Sequence, residues 1–254
     1  MLPSAAGSPD HAALHETVLR LRAAGWPPAF LLVYDEVWVD LIDPLFEAFE
    51  TLLGEGCTMA DDVNVWALRR PVETAGKAAV GTAAYSGQNF GRPHRDMAYA
   101  RCHRDDEQRC SCLNAWVPLN PSGATARNGA MRLLPRQHDA GFEGSCVTAA
   151  KEWLHSPLAH VAEVPAGSIV TWAPCVVHWG GACDPSAAEE PRVSVAATFC
   201  ASDAPAVYGV ADGVRPVKTL LRRRRLPRCS LSRREDIERT LAPGTRPFPP
   251  PPPP

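Results

Sequence analysis

The segment GRPHRDMAY places His94 and Asp96 two residues apart. On an extended strand such positions project from one face about 6 to 7 Å apart, so one imidazole and one carboxylate can meet at one ion. A second imidazole, His178, follows in SIVTWAPCVVHWGG, on another expected strand that a folded β-structure can bring alongside. Two imidazoles and one carboxylate on one face of an octahedron leave three positions open and suit non-haem Fe(II). A closed structural zinc site takes four ligands, mostly thiolates. A bare His-x-Asp is common by chance, so the distant histidine and the strand after it carry the reading.

That strand, RVSVAATF, presents Arg192, Ser194, Ala196 and Thr198 on one face and Val193, Val195, Ala197 and Phe199 on the other. A guanidinium holds a carboxylate through two parallel charge-assisted bonds, and a neighbouring hydroxyl adds a third. The pair therefore suits a dicarboxylic cosubstrate reaching back from iron. The competing reading makes Arg192 a partly exposed residue paired with Glu189 or Glu190.

These residues need a scaffold. The spacing of Leu14, Val18 and Leu21 predicts a helix over 11–24, ended by Gly25 and the Pro27-Pro28 pair. Val37, Leu41, Leu45, Phe49 and Leu52 continue near-helical spacing, with Asp43-Pro44 marking a kink or a restart and Gly54 and Gly56 closing the run. Beyond Met59 the texture changes to short apolar runs between turn formers: VNVWALR, AAVGTAAY, LNAWVPL, AMRLLP, VAEV, SIVTWA, CVVHW and RVSVAATF. Many short strands imply a barrel or sandwich, interrupted by a helical segment near 147–158. Asn128-Gly129 and Pro165-Ala166-Gly167 read as turns within β-hairpins.

The chain has 254 residues with 26 Lys+Arg against 28 Asp+Glu, which excludes a global positive field for holding nucleic acid. Its apolar runs are too short for a membrane span. Nine cysteines, an odd number, without a signal-peptide pattern point to a reducing, cytoplasmic compartment, with organellar or nuclear placement left open. Residues 1–10 read as a frayed leader, 11–210 as one domain, 211–242 as a basic helical segment and 243–254 as a polyproline tail. Residues 215–239 carry ten Lys+Arg against three acidic residues. A surface helix whose arginines pair with the acidic body is preferred over nucleic-acid use of Arg222 to Arg225. The PFPPPPPP end reads as an extended polyproline segment, either a linker or a ligand for proline-recognition modules.

The ordered set HRD (94–96), LNAWVPLN (113–120), NGAMRLLPRQH (128–138), PAGSIVTWAPCVVHWGG (165–181) and PRVSV (191–195) resembles the phytanoyl-CoA dioxygenase family of Fe(II)/2-oxoglutarate oxygenases. The resemblance implies a mainly β fold with flanking helices, the double-stranded β-helix or cupin-like jelly-roll barrel. It implies His94, Asp96 and His178 as iron ligands at the catalytic centre, and Arg192 as the anchor of the 2-oxoglutarate C5 carboxylate. Ser194 resembles the serine of an RxS motif, and Trp116 a family aromatic beside the cosubstrate. Fe(II), 2-oxoglutarate, O2 and ascorbate as reductant are the implied cofactors. The implied reaction hydroxylates a small-molecule or lipid-like metabolite with release of succinate and CO2. Phytanoyl-CoA itself is not the expected substrate, and Asp96 disfavours halogenation because a halide needs the carboxylate's place.

Two other classes stand beside this one: a cupin-like metal protein or inactive barrel without 2-oxoglutarate turnover, and a nucleic-acid role for the basic segment. Cys102, His103, Cys110 and Cys112 match no usual zinc framework, and the three cysteines read as free thiols on a loop. His138 reads as a structural hydrogen-bonding residue near the site, and His103, His155 and His160 as surface residues. Tyr85, Gln88, Asn89, Met97 and Trp172 are candidates for the pocket wall or plain core.

Overall fold

The structure is a computed structural model that describes residues 10–60, 63–68, 93–102, 110–144 and 151–204. The expected strand at 78–85, Tyr85, Gln88, Asn89, His103, the basic segment and the polyproline tail lie outside the described residues.

Asp10, expected in the frayed leader, instead caps the first helix: its carboxylate accepts from the Ala13 amide at 3.0 Å. Helix α1 runs His11–Ala23 and buries Leu14, Val18 and Leu21. A 3-10 turn, Pro28–Val33, and a π-helical stretch, Val37–Ile42, lead into α2, Asp43–Leu53. Proline at the second helical position explains the restart, since its missing N–H would have no partner there. Helix α2 buries Leu45 and Phe49, while Leu52 is exposed.

The β-structure forms two antiparallel sheets. In the larger, β1 (Thr58–Met59) and β2 (Asn64–Ala67) share one edge of β8 (Val193–Cys200). Strand β8 also pairs β3 (Cys112–Pro118), which pairs β6 (Val170–Trp172). The smaller sheet runs β5 (His160–Val161), β4 (Met131–Leu133), β7 (His178–Gly180). A short helix, α3, spans Tyr99–Cys102.

The alternation along β8 separates two environments. Val193, Val195, Ala197 and Phe199 join the helical core, where Phe199 stacks on Phe49 at 4.4 Å and meets Phe46 edge-on at 5.0 Å. Burying one such ring stabilises the fold by about 1.5–3 kcal/mol. A second cluster joins Trp116 and Trp172 of the large sheet to Met131 of the small one, so the sheets face each other across it.

The hairpin expectations fail. Asn128-Gly129 lies between β3 and β4, and Pro165-Ala166-Gly167 between β5 and β6, yet in each case the flanking strands belong to different sheets. Each loop is a crossing. The Asn128 amide is spent inside its own loop, donating to the Gly123 carbonyl and accepting from the Thr125 amide. The two crossings meet through an Ala124–Val164 bridge. Turn chemistry reverses a chain locally but does not choose its partner. The helical segment near 147–158 appears as a 3-10 turn, Lys151–His155.

Candidate metal centre

His94 is held to β7 by two backbone hydrogen bonds with His178: its amide donates at 3.1 Å, and that of His178 donates back at 2.9 Å. The expected His-x-Asp strand is reduced to this single bridge. The chain bends at Asp96, where the Asp96 and Met97 amides both donate to the Pro174 carbonyl. The three side chains still converge, with one ligand atom from each of His94, Asp96 and His178 lying within 4.8 Å of the others. His94 Nε2 is 3.5 Å from Asp96 Oδ1, and His178 Nε2 is 3.5 Å from Asp96 Oδ2.

The charge state of this triad suits a cation. His178 Nδ1 lies 3.0 Å from the Val176 carbonyl, which can only accept, so Nδ1 carries the proton and Nε2 presents a lone pair. Burial pushes His178 below its usual value, against the attraction of Asp96, and so favours the neutral, ligating form. At Asp96 burial pulls upward. The His94 hydrogen bond, the charges of His178 and His94 and the Asn114 amide outweigh it and hold the carboxyl below its usual range.

A cavity of about 330 Å³ adjoins the triad, with Trp116, Trp172 and Arg192 in its wall. Arg192, just ahead of β8, is wholly buried, and its three guanidinium nitrogens have no hydrogen-bond partner. The Ser194 hydroxyl, also buried, has none either. This excludes a salt bridge to Glu189 or Glu190. The guanidinium carbon lies 5.3 Å from the Trp116 ring centroid, within cation–π range. Burial lowers Arg192 to about 10, opposed in part by Cys183. An unpaired buried guanidinium is costly unless an anion reaches it. The donor set at one end and the orphaned donors at the other fit a metal with a chelating dicarboxylate.

Of the other singled-out residues, Trp172 lines the cavity with its ring 5.0 Å from that of His178, whereas Met97 packs into a small core with Cys102, Phe142 and Cys175. His138 is exposed and makes no bond near the site. Its neighbour Asp139 takes that part instead: buried Arg95, between the two ligands in sequence, donates to both of its carboxylate oxygens at 2.7 and 2.6 Å. His155 and His160 are exposed as expected, and Cys102, Cys110 and Cys112 are free thiols. Sequence reasoning missed the Arg95–Asp139 pair and Asn114. Asn114 donates to Asp96 Oδ2 at 2.6 Å and stands two residues before Trp116 on one strand face, a spacing that could have revealed it. No helix among the described residues is long and apolar enough to cross a membrane.

Comparison with known proteins adds to this picture. The family profile described as Phytanoyl-CoA dioxygenase (PhyH) matches residues 72–184. No curated protein sequence matches. Among solved structures, the non-heme monooxygenase ThoJ in its apo form is similar over 95% of this chain and 94% of its own, at 17% identity and a TM-score of 0.53. AviO1 from Streptomyces viridochromogenes Tue57 is 15% identical with a TM-score of 0.49, over 80% of this chain and 89% of its own. HygX from Streptomyces hygroscopicus, solved with nickel and 2-oxoglutarate bound, is 12% identical with a TM-score of 0.44, over 80% and 82%. At such identity the likeness to ThoJ speaks for the fold alone, a mainly β architecture with antiparallel sheets and some helices. The segment 72–184 that resembles the phytanoyl-CoA dioxygenase family profile contains His94, Asp96, Trp116 and His178.

Proposed function

We propose that the protein is a non-haem Fe(II)/2-oxoglutarate-dependent dioxygenase that hydroxylates a small-molecule or lipid-like metabolite on a double-stranded β-helix. His94, Asp96 and His178 hold the metal; Arg192, Ser194 and Trp116 hold the cosubstrate. When bound, iron and 2-oxoglutarate would supply O2-dependent oxidation, coupling cosubstrate decarboxylation to succinate and CO2 with substrate hydroxylation, and ascorbate would keep the metal reduced.

The observation that carries the reading is Arg192, fully buried and unpaired at a cavity shared with a His-Asp-His triad. A metal protein without a dicarboxylate has no use for that guanidinium, nor for the orphaned hydroxyl of Ser194 beside it. The chain's own residues have separable tasks. Val176 fixes the His178 tautomer, so that a lone pair faces the ion without a proton transfer. Arg192 and Ser194 set the direction in which a dicarboxylate lies. Trp116 and Trp172 narrow the cavity and limit water beside the reacting centre. Asp96 fills the place a halide would need, which favours hydroxylation.

Anaerobic titration with Fe(II) and then 2-oxoglutarate tests this through the weak visible charge-transfer band of the chelate. The band is expected in the wild type and lost in Arg192→Ala and His178→Ala. Iron bound without a band would favour a cupin-like metal protein, and no iron bound would leave an inactive barrel.

A further inference from the structure

Asp96 is the one proposed ligand whose direction the sheets do not set. His94 and His178 are tied to each other through their backbones, but Asp96 sits on a bend and its carboxyl is free to turn about a soft terminal torsion. A side-chain relay removes that freedom. The Thr198 hydroxyl donates to Asn114 Oδ1 at 2.9 Å, and Asn114 Nδ2 donates to Asp96 Oδ2 at 2.6 Å. A carboxylate only accepts, so the amide must face it with nitrogen, and the Thr198 hydroxyl, donating to the amide oxygen, holds the group there. The relay spans two paired strands: Asn114 on β3 and Thr198 on β8 are register partners, both buried.

We infer that Asn114, oriented by Thr198, is a positioning residue that reserves Asp96 Oδ2 and so presents Oδ1 alone to the ion. This rests on the proposed metal reading. Its consequence is coordination economy: a carboxylate free to turn can offer both oxygens and occupy a position that cosubstrate or dioxygen requires. Outer partners of this kind typically change metal affinity 10–100-fold.

The test is Co(II) titration of the full chain, followed by absorbance in the visible region, then addition of 2-oxoglutarate. Asn114→Ala should bind Co(II) about 10–100-fold more weakly, with an altered visible spectrum and a further loss of 2-oxoglutarate affinity. Thr198→Val, which leaves Asp96 untouched, should give a smaller change in the same direction, and none when added to Asn114→Ala. That non-additivity would not arise from a general packing defect. Wild-type Co(II) affinity and spectrum in Asn114→Ala overturn the inference, as do independent, additive effects of the two substitutions. Failure of the wild type itself to bind Co(II) overturns the metal reading and this inference with it.

Discussion

Replacing Arg192 by methionine separates a binding group from a structural one. Burial lowers the guanidinium from its usual value to about 10, a difference of about 3 kcal/mol against the charged form. Exchange for an apolar side chain of similar volume should therefore leave the cosubstrate-free protein as stable as the wild type, or more stable by about 1–4 kcal/mol. Removing one partner of a buried, hydrogen-bonded charge pair costs about 2–5 kcal/mol of binding. This weakens 2-oxoglutarate about 30- to 4000-fold, at 1.4 kcal/mol per tenfold. The assay is thermal unfolding with Ni(II) in place of iron, with and without 2-oxoglutarate at about 100 times its wild-type Kd. Mass action then adds about 2.7 kcal/mol to the wild type. At about 2–4 °C per kcal/mol, Tm should rise by roughly 5–11 °C. Arg192→Met should show at most about a third of this rise, with an undiminished starting Tm. An equal rise in the variant would refute the anchor. A large fall in its cosubstrate-free Tm would show instead that the guanidinium holds the fold.

Further outcomes are expected elsewhere. His178 is depressed below its usual 6.5, so its contribution to stability is complete above that pH and is lost as pH falls through the depressed value. Asp96, depressed below 3.8, adds a second loss at still lower pH. Thermal melts across pH 2–8 should show Tm falling in that order, and the Ni(II)-induced rise should survive to just below pH 6.5; a fall that begins above pH 7 would contradict the assignment. Asp139→Ala strands Arg95 without its carboxylate and should cost about 3–5 kcal/mol, roughly 10 °C in Tm; a change under 2 °C would show the pair to be dispensable. Gly129 has φ +96°, and a Cβ there would lie 2.9 Å from the Gly181 carbonyl and press on Leu68, so Gly129→Ala should lower Tm and weaken Ni(II) binding through the adjoining β7. Unchanged melting would mean that the crossing relaxes freely.

Residue type and period determined much of this protein by themselves. The helix ends at Gly25 and Gly54, the proline restart at Pro44 and the two-faced alternation of β8 follow from local chemistry, because capping, φ restriction and a period of two act within a few residues. The His-x-Asp pair, the later histidine and the Arg-x-Ser strand could be named as candidates for the same reason: ligand chemistry belongs to the side chain. Partner choice does not. Asn128-Gly129 looks like a hairpin turn in any sequence, and only tertiary packing decides that β4 leaves the sheet of β3 and joins β5 and β7. The same holds for Asn114 and Asp139, ordinary polar residues until folding brings them, across 18 and 44 residues, onto Asp96 and Arg95. A hydrogen bond at that separation depends on where two elements are placed, and burial of both partners, which gives it its worth, exists only in the folded molecule.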